Sequence, residues 1–340
     1  MQQILAADIG ATNSRFALFN ANTKGDAPLL TLKRERWLKG ADYATFADAL
    51  RELTNPASDQ PLPDPKEPAP IIAVIAPAGP ILGEAGRQTC RISNLTWTID
   101  AQESAALLGI ERVCMINDFV AQAHACLLPE AALPVPLLEG QALDGAPKAV
   151  VGAGTGFGKA LLLGTEATPG ESGPERLQRL ARSKILPSEG GHSEFPFVGR
   201  EEADFAAFAA RREGTQRLIF DSIVSGKGLA HVFAWAGKQD LHPHQASALA
   251  PDEPEVMALY ARFYARACRV YVLETLALGG LYITGGMALR VPVLEHPAFA
   301  AEFYASTAQE SLLRKVPVYH VKNDRAGLWG AALHGLLQTL

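Results

Sequence analysis

Ile116-Asn117-Asp118-Phe119 closes an apolar run that begins at Val113, and a helix-like segment follows at once. The change of pattern puts Asp118 at the C-terminal end of a strand beside a helix N-terminus, where α/β sheets bind their ligands. Near the start of the chain, Asp8-Ile9-Gly10-Ala11-Thr12-Asn13 joins two apolar runs, residues 4–7 and 14–19, and reads as the turn of a β-hairpin. Its backbone N–H groups and the Asp8 carboxylate are what a phosphate and a magnesium ion require. The two segments together imply phosphoryl transfer to a hydroxyl, with Asp118 taking the proton. Plainer readings stand beside these: Asp118 as a helix N-cap, and residues 8–13 as a turn of ordinary turn formers.

A chain of 340 residues exceeds the usual size of one hydrophobic core, so two domains are expected. Its 48% hydrophobic and 20% charged residues describe a globular protein, and a net charge of −5 gives no nucleic-acid face. The densest basic run, Lys33-Arg34-Glu35-Arg36, is broken by a glutamate and reads as an exposed strand or loop. Cys90, Cys114, Cys126 and Cys268 are far apart, which argues against a disulfide framework or a cysteine zinc site. The N-terminus enters an apolar strand without a basic leader, and no apolar run reaches the ~18 residues of a membrane span. The expectation is a cytoplasmic protein that binds neither membrane nor nucleic acid.

Helical spacing of Phe46, Leu50 and Leu53 predicts a helix over residues 41–53, and six prolines in 55–70 predict a solvated loop. Strands are expected at 71–76 and 113–116, with a helix at 100–108 capped by Asp100 and stopped at Gly109. The second half repeats the opening theme: strands at 149–151 and 159–163 flank Gly152-Ala153-Gly154-Thr155-Gly156-Phe157-Gly158. Helical patterns follow around 202–212, 217–236 and 254–278. A strand at 281–284 runs into Gly285-Gly286, another spans 317–321, and an apolar helix covers 326–337.

The 152–158 turn is not a P-loop, because Ala153 and Ala160 stand where glycine and Ser/Thr are required, and Phe157 breaks the dinucleotide spacing. Four glycines in seven residues still leave a backbone that can wrap an anion, or simply a tight hairpin. Glu189-Gly190-Gly191-His192 can bring a carboxylate and an imidazole onto one small polar ligand, or can be a solvated loop. Pro196 occupies the place of a second zinc histidine, so a metal site there is disfavoured. His242 and His244 read as solvated.

Taken in order, residues 8–13, Asn94-Leu95-Thr96-Trp97, residues 116–119, 152–158 and 189–192, Ser225-Gly226-x-Gly228 and Thr284-Gly285-Gly286 resemble the proteobacterial type of bacterial glucokinase. That family belongs to the hexokinase, actin and heat-shock chaperone superfamily. The resemblance implies an α/β, two-lobed actin-like ATPase (ribonuclease H-like) fold with a cleft between a smaller and a larger lobe. The lobes would be 1–118 plus 325–340, and 119–324. It implies ATP-dependent phosphorylation of glucose at the 6-hydroxyl, with ATP and Mg2+ as cofactors and a homodimer as the assembly. Asp8 would hold magnesium through water, and Gly10, Ala11, Thr12, Asn13, Gly154, Thr155 and Gly156 would contact the ATP phosphates. Gly285 and Gly286 would lie against the adenosine. Asn94, Asn117, Asp118, Glu189 and His192 would bind glucose, with Asp118 as the base.

Three features depart from the family pattern: Asp221 stands at the place of a sugar-binding glutamate, Ala11 replaces a common glycine, and 55–70 is an insertion. Asp221 is expected either to face the sugar less directly than Glu189 and His192, or to cap the helix before Ser225. A kinase for a related hexose or amino sugar is an alternative, as is a non-catalytic sugar-sensing regulator. Against the regulator stand the absence of a cysteine-rich segment, a chain that opens on its first strand, and the presence of Asp118.

Overall fold

A computed structural model describes residues 2–10, 12–23, 28–92, 95–164, 170–237 and 239–340. The chain divides into two compact units, the first formed by Met1–Ala132, Gly164–Ile185 and Arg325–Leu340, the second by Leu133–Leu163 and Leu186–Asp324. The segment from Asp118 to Ala132 and the excursion 164–185 therefore group with the N-terminal sheet.

In the first unit the predicted hairpin is β1 (Gln2–Ile9) and β2 (Asn13–Ala21), antiparallel to the last pair, Ile9 with Ser14. β3 (Leu30–Lys39), β4 (Ile72–Pro77) and β5 (Val113–Met115) complete a sheet of order β3-β2-β1-β4-β5. β4 runs parallel to both β1 and β5. β1 and β4 are apolar almost throughout because both their faces are buried. The first helix, α1, spans Phe46–Thr54 and starts later than its apolar spacing predicts. Thr45 and Asp48 form a capping box there, which satisfies the orphan N–H groups of the first turn. α2 (Ala101–Leu108) follows the expectation: Asp100 accepts from the N–H groups of Gln102 and Glu103, and Gly109 ends the helix at φ 64°.

The proline-rich segment is not a freely solvated loop. Lys33 and Arg34 pair with Glu67, Arg34 also with Asp64, and Leu62 is buried. The basic run is thus one strand, β3, whose cations hold this segment.

The second unit repeats the plan. β6 (Pro134–Leu138), β7 (Lys148–Ala153), β8 (Phe157–Leu163), β9 (Lys184–Ser188), β10 (Gly280–Thr284) and β11 (Val318–Val321) lie in the order β9-β8-β7-β10-β11-β6. β7 and β8 form an antiparallel hairpin, and β10 runs parallel to β7 and to β11. A hairpin followed by parallel strands thus occurs twice. An aromatic core that includes Phe195, Phe205, Phe220, Phe263 and Tyr264 fills this unit.

The helical pattern over 217–236 resolves into two pieces, Phe220–Ile223 and Gly226–Trp235. The break falls at Ser225, whose Oγ accepts from the Gly228 N–H at 3.4 Å and starts the second helix. The long pattern at 254 is the helix Pro254–Thr275, which stops before the expected 278. His242 caps the helix Pro243–Leu249 rather than standing free in solvent. No helix among the described residues is long and apolar enough to cross a membrane.

The next helix of the first unit, α3 (Asp118–Ala125), packs against the C-terminal helix Ala326–Leu337. Between them His334 Nδ1 lies 3.0 Å from His124 Nε2. Burial pushes His124 down to about 3 and His334 to about 4. Both folded values lie below the unfolded value of 6.5, so the unfolded chain takes up these protons first as pH falls. Stability should therefore fall below pH 6.5, by up to about 1.4 kcal/mol per pH unit for each histidine. Urea midpoints measured between pH 7 and 5 check this, and a midpoint unchanged over that range would refute it.

Candidate active site

In the first unit, Asp8 is the penultimate residue of β1, a half-buried carboxylate. Burial raises its proton affinity, and only the Arg15 charge opposes the shift. The turn is closed by the Gly10 N–H donating to the Asn13 carbonyl at 3.1 Å, which leaves Thr12 and Asn13 exposed. Ala11 and Asn94 lie outside the described residues.

Asn117, not Asp118, is the N-cap of α3. Its Oδ1 accepts from the N–H groups of Phe119 and Val120 at 2.9 and 3.4 Å, so its amide nitrogen remains available to a ligand. Asp118 is the first helical residue and half-buried, and its Oδ1 also accepts from the Phe119 N–H at 3.0 Å. The strand before it is braced by a residue that no motif singled out. The Gln88 amide donates to the Met115 carbonyl at 2.9 Å and accepts from the Met115 N–H at 2.7 Å.

In the second unit, four predicted segments converge. The Gly154 N–H donates to the Gly156 carbonyl at 2.8 Å, and Thr155 at the tip is exposed. Gly285 has φ 93°, and a Cβ there would stand 2.6 Å from the Ala153 carbonyl oxygen. Only glycine lets the 285–286 turn lie against Ala153 at the end of β7, with the helix Gly286–Arg290 leading away. Glu189, Gly190, Gly191 and His192 form a short 3-10 turn in which Glu189 Oε2 and His192 Nε2 are 3.6 Å apart, both about half exposed.

Asp221 lies between these turns. Its Oδ1 accepts from the Phe157 N–H at 2.6 Å. A Cβ on Gly191 would sit 2.6 Å from that same oxygen, and one on Gly156 would sit 2.5 Å from Oδ2. Asp221 does not cap the helix before Ser225, Phe220–Ile223, because Ile219 is its N-cap and Asp221 is its second residue; the carboxylate is instead held by the Phe157 N–H. The sequence offers no sign of the link, because its partners are 64 residues apart.

A duplicated hairpin-and-parallel-strand sheet, with a carboxylate beside one glycine turn and two further glycine turns in the other unit, defines a kinase of the actin-like ATPase superfamily. The chain belongs to the glucokinase family, whose model matches residues 5–337. It is 30% identical to the glucokinase of Sinorhizobium fredii over 97% of this chain and 91% of that one. The crystal structure of glucokinase from an Antarctic psychrotroph matches with a TM-score of 0.73 at 29% identity, covering 100% of both chains. A ROK family glucokinase from Streptomyces griseus, solved in complex with glucose and AMPPNP, shares the fold with a TM-score of 0.58 at 14% identity, over 97% and 98% of the two chains.

Proposed function

We propose that Asp118 is the base in the reaction this chain catalyses, the transfer of the ATP γ-phosphoryl group to the 6-hydroxyl of glucose. As the new O6–P bond forms and the bond from the γ-phosphorus to ADP breaks, the Asp118 carboxylate takes the hydroxyl proton. The family match over residues 5–337 is the observation that carries the glucokinase activity. The position of Asp118 at the first residue of α3 supports its role.

Asn94, Asn117, Glu189 and His192 are read as sugar ligands. Gly10, Ala11, Thr12, Asn13, Gly154, Thr155 and Gly156 are read as phosphate ligands, and Gly285 and Gly286 as the adenosine wall. Asp8 fits a magnesium ion held through water. It is one desolvated carboxylate whose ionised form a cation would stabilise. Among the described residues no group of three His, Cys, Asp or Glu side chains forms a metal cage. Magnesium suits such a site because it keeps most of its waters and binds through few carboxylates and the nucleotide phosphates. When bound it would neutralise charge on the phosphates. Cys90, Cys114, Cys126 and Cys268 are reduced thiols, in keeping with a cytoplasmic location. Family resemblance supports a homodimer.

The geometry of Asp221 supports a looser grip on the sugar's 2-position. With Oδ1 engaged by the Phe157 N–H, one oxygen remains for a hydroxyl. A coupled assay with ATP and glucose, mannose or glucosamine tests both the reaction and this detail. Glucose should be phosphorylated, and mannose and glucosamine should compete well. Asp221→Ala should raise KM for glucose by about tenfold, since truncating a residue that positions substrate-binding groups commonly has such an effect. No turnover of any hexose by the wild type would overturn the reaction. An unchanged KM and sugar preference in Asp221→Ala would remove Asp221 from the site.

A further inference from the structure

Lys159 follows the glycine turn on β8 and is only 1% exposed. Its ammonium packs on π faces: Nζ is 4.1 Å from the ring centre of Phe220, 5.2 Å from Tyr271 and 5.8 Å from Phe157. It also underlies the 189–192 turn. A Cβ on Gly190 would stand 3.1 Å from Lys159 Cδ and 3.3 Å from Nζ, so the absence of a side chain there leaves room for the lysine. Ser188 connects the same groups, since its Oγ accepts from the Gly190 N–H at 3.1 Å and its hydroxyl is hydrogen-bonded to Tyr271.

Burial lowers the proton affinity of Lys159, with Glu274 opposing through space. Burying an ammonium costs stability, and cation–π contacts of ~0.5–2 kcal/mol offset only part of that cost. For folding alone, an apolar side chain of the same length would serve as well or better. The ammonium nevertheless lies 3.3 Å from where a Cβ of Gly190 would stand, beneath the turn that carries Glu189 and His192.

We propose that Lys159 is a positioning residue for the sugar, its ammonium supporting the 189–192 turn from beneath and fixing Glu189 and His192 toward the sugar hydroxyls. The inference rests on reading that turn as the sugar site. An uncharged residue beneath it leaves the turn without its cationic support, and the two side chains then sample more orientations.

Lys159→Met keeps an unbranched, flexible side chain one atom shorter and removes the charge. KM for glucose should rise about tenfold, as small misplacements of binding groups do, while kcat and KM for ATP stay within about twofold. Thermal stability should be unchanged or higher, which a packing role does not predict. In Lys159→Ala, added propylammonium should restore the glucose KM and 1-propanol should not. Glu189→Gln is measured in parallel and should also raise KM for glucose. If Glu189→Gln raises it and Lys159→Met does not, Lys159 has no positioning role. If Lys159→Met lowers Tm and raises both KM values alike, Lys159 is packing only. If Glu189→Gln changes nothing, the reading of the turn fails and the inference falls with it.

Discussion

Asp118→Asn is expected to lower kcat by roughly 10²-fold or more while changing KM for glucose only a few-fold. The amide occupies the carboxylate's space at the first position of α3 and still offers an oxygen to a sugar hydroxyl. What it lacks is the basicity to take a proton as the phosphoryl group arrives, a loss of about 2.7 kcal/mol of transition-state stabilisation for each hundredfold. Loss of the negative charge at the helix N-terminus removes a further ~0.3–1 kcal/mol from the fold, too little to unfold it. Steady-state kinetics with glucose and ATP read both constants. Near-normal turnover in the variant would sink the assignment of Asp118 as base.

Gly330→Ala should damage stability and turnover together. A Cβ on Gly330, in the C-terminal helix, would lie 1.7 Å from the Ala121 carbonyl oxygen and 2.8 Å from the Ala125 nitrogen, both backbone atoms of α3. No rotamer change relieves a clash with backbone, so one helix must shift. Overpacking of this kind costs at least the upper end of the usual ~1–3 kcal/mol. A domain of this size loses about 2–4 °C of Tm per kcal/mol, so a fall of roughly 6 °C or more is expected. α3 begins at Asp118, and displacing it moves the proposed base, so kcat should drop as well. Gly335→Ala is the comparison. Its nearest contacts are the Ile4 and Val74 methyl carbons at 2.9 and 3.0 Å, which can yield, and its effect should be smaller. A Gly330→Ala protein with the wild-type Tm would refute the packing argument.

Much of the frame was legible in the amino-acid order because it is local. Both hairpins fall where apolar runs flank a glycine turn, and the Asp100 cap and Gly109 stop of α2 are satisfied within one helical turn. The C-terminal helix matches its apolar run residue for residue over Ala326–Leu337. The start of α1 was less readable, since hydrophobic spacing marks a buried face while the capping box at Thr45 decides the first turn. The split at Ser225 was hidden in the same way, by an apolar pattern that continues across a change of helix.

Motif order alone determined the family and the segments that present Asp8, Asp118, Glu189 and His192. Tertiary structure decided how those segments are held. It joined Asp221 to the Phe157 N–H and set Lys159 beneath Gly190. Each of these depends on a backbone group or an aromatic face that only folding brings within reach. Propensity and periodicity report a residue's own turn of helix or strand, whereas a hydrogen bond across 64 residues exists only once the sheet and its helices have packed.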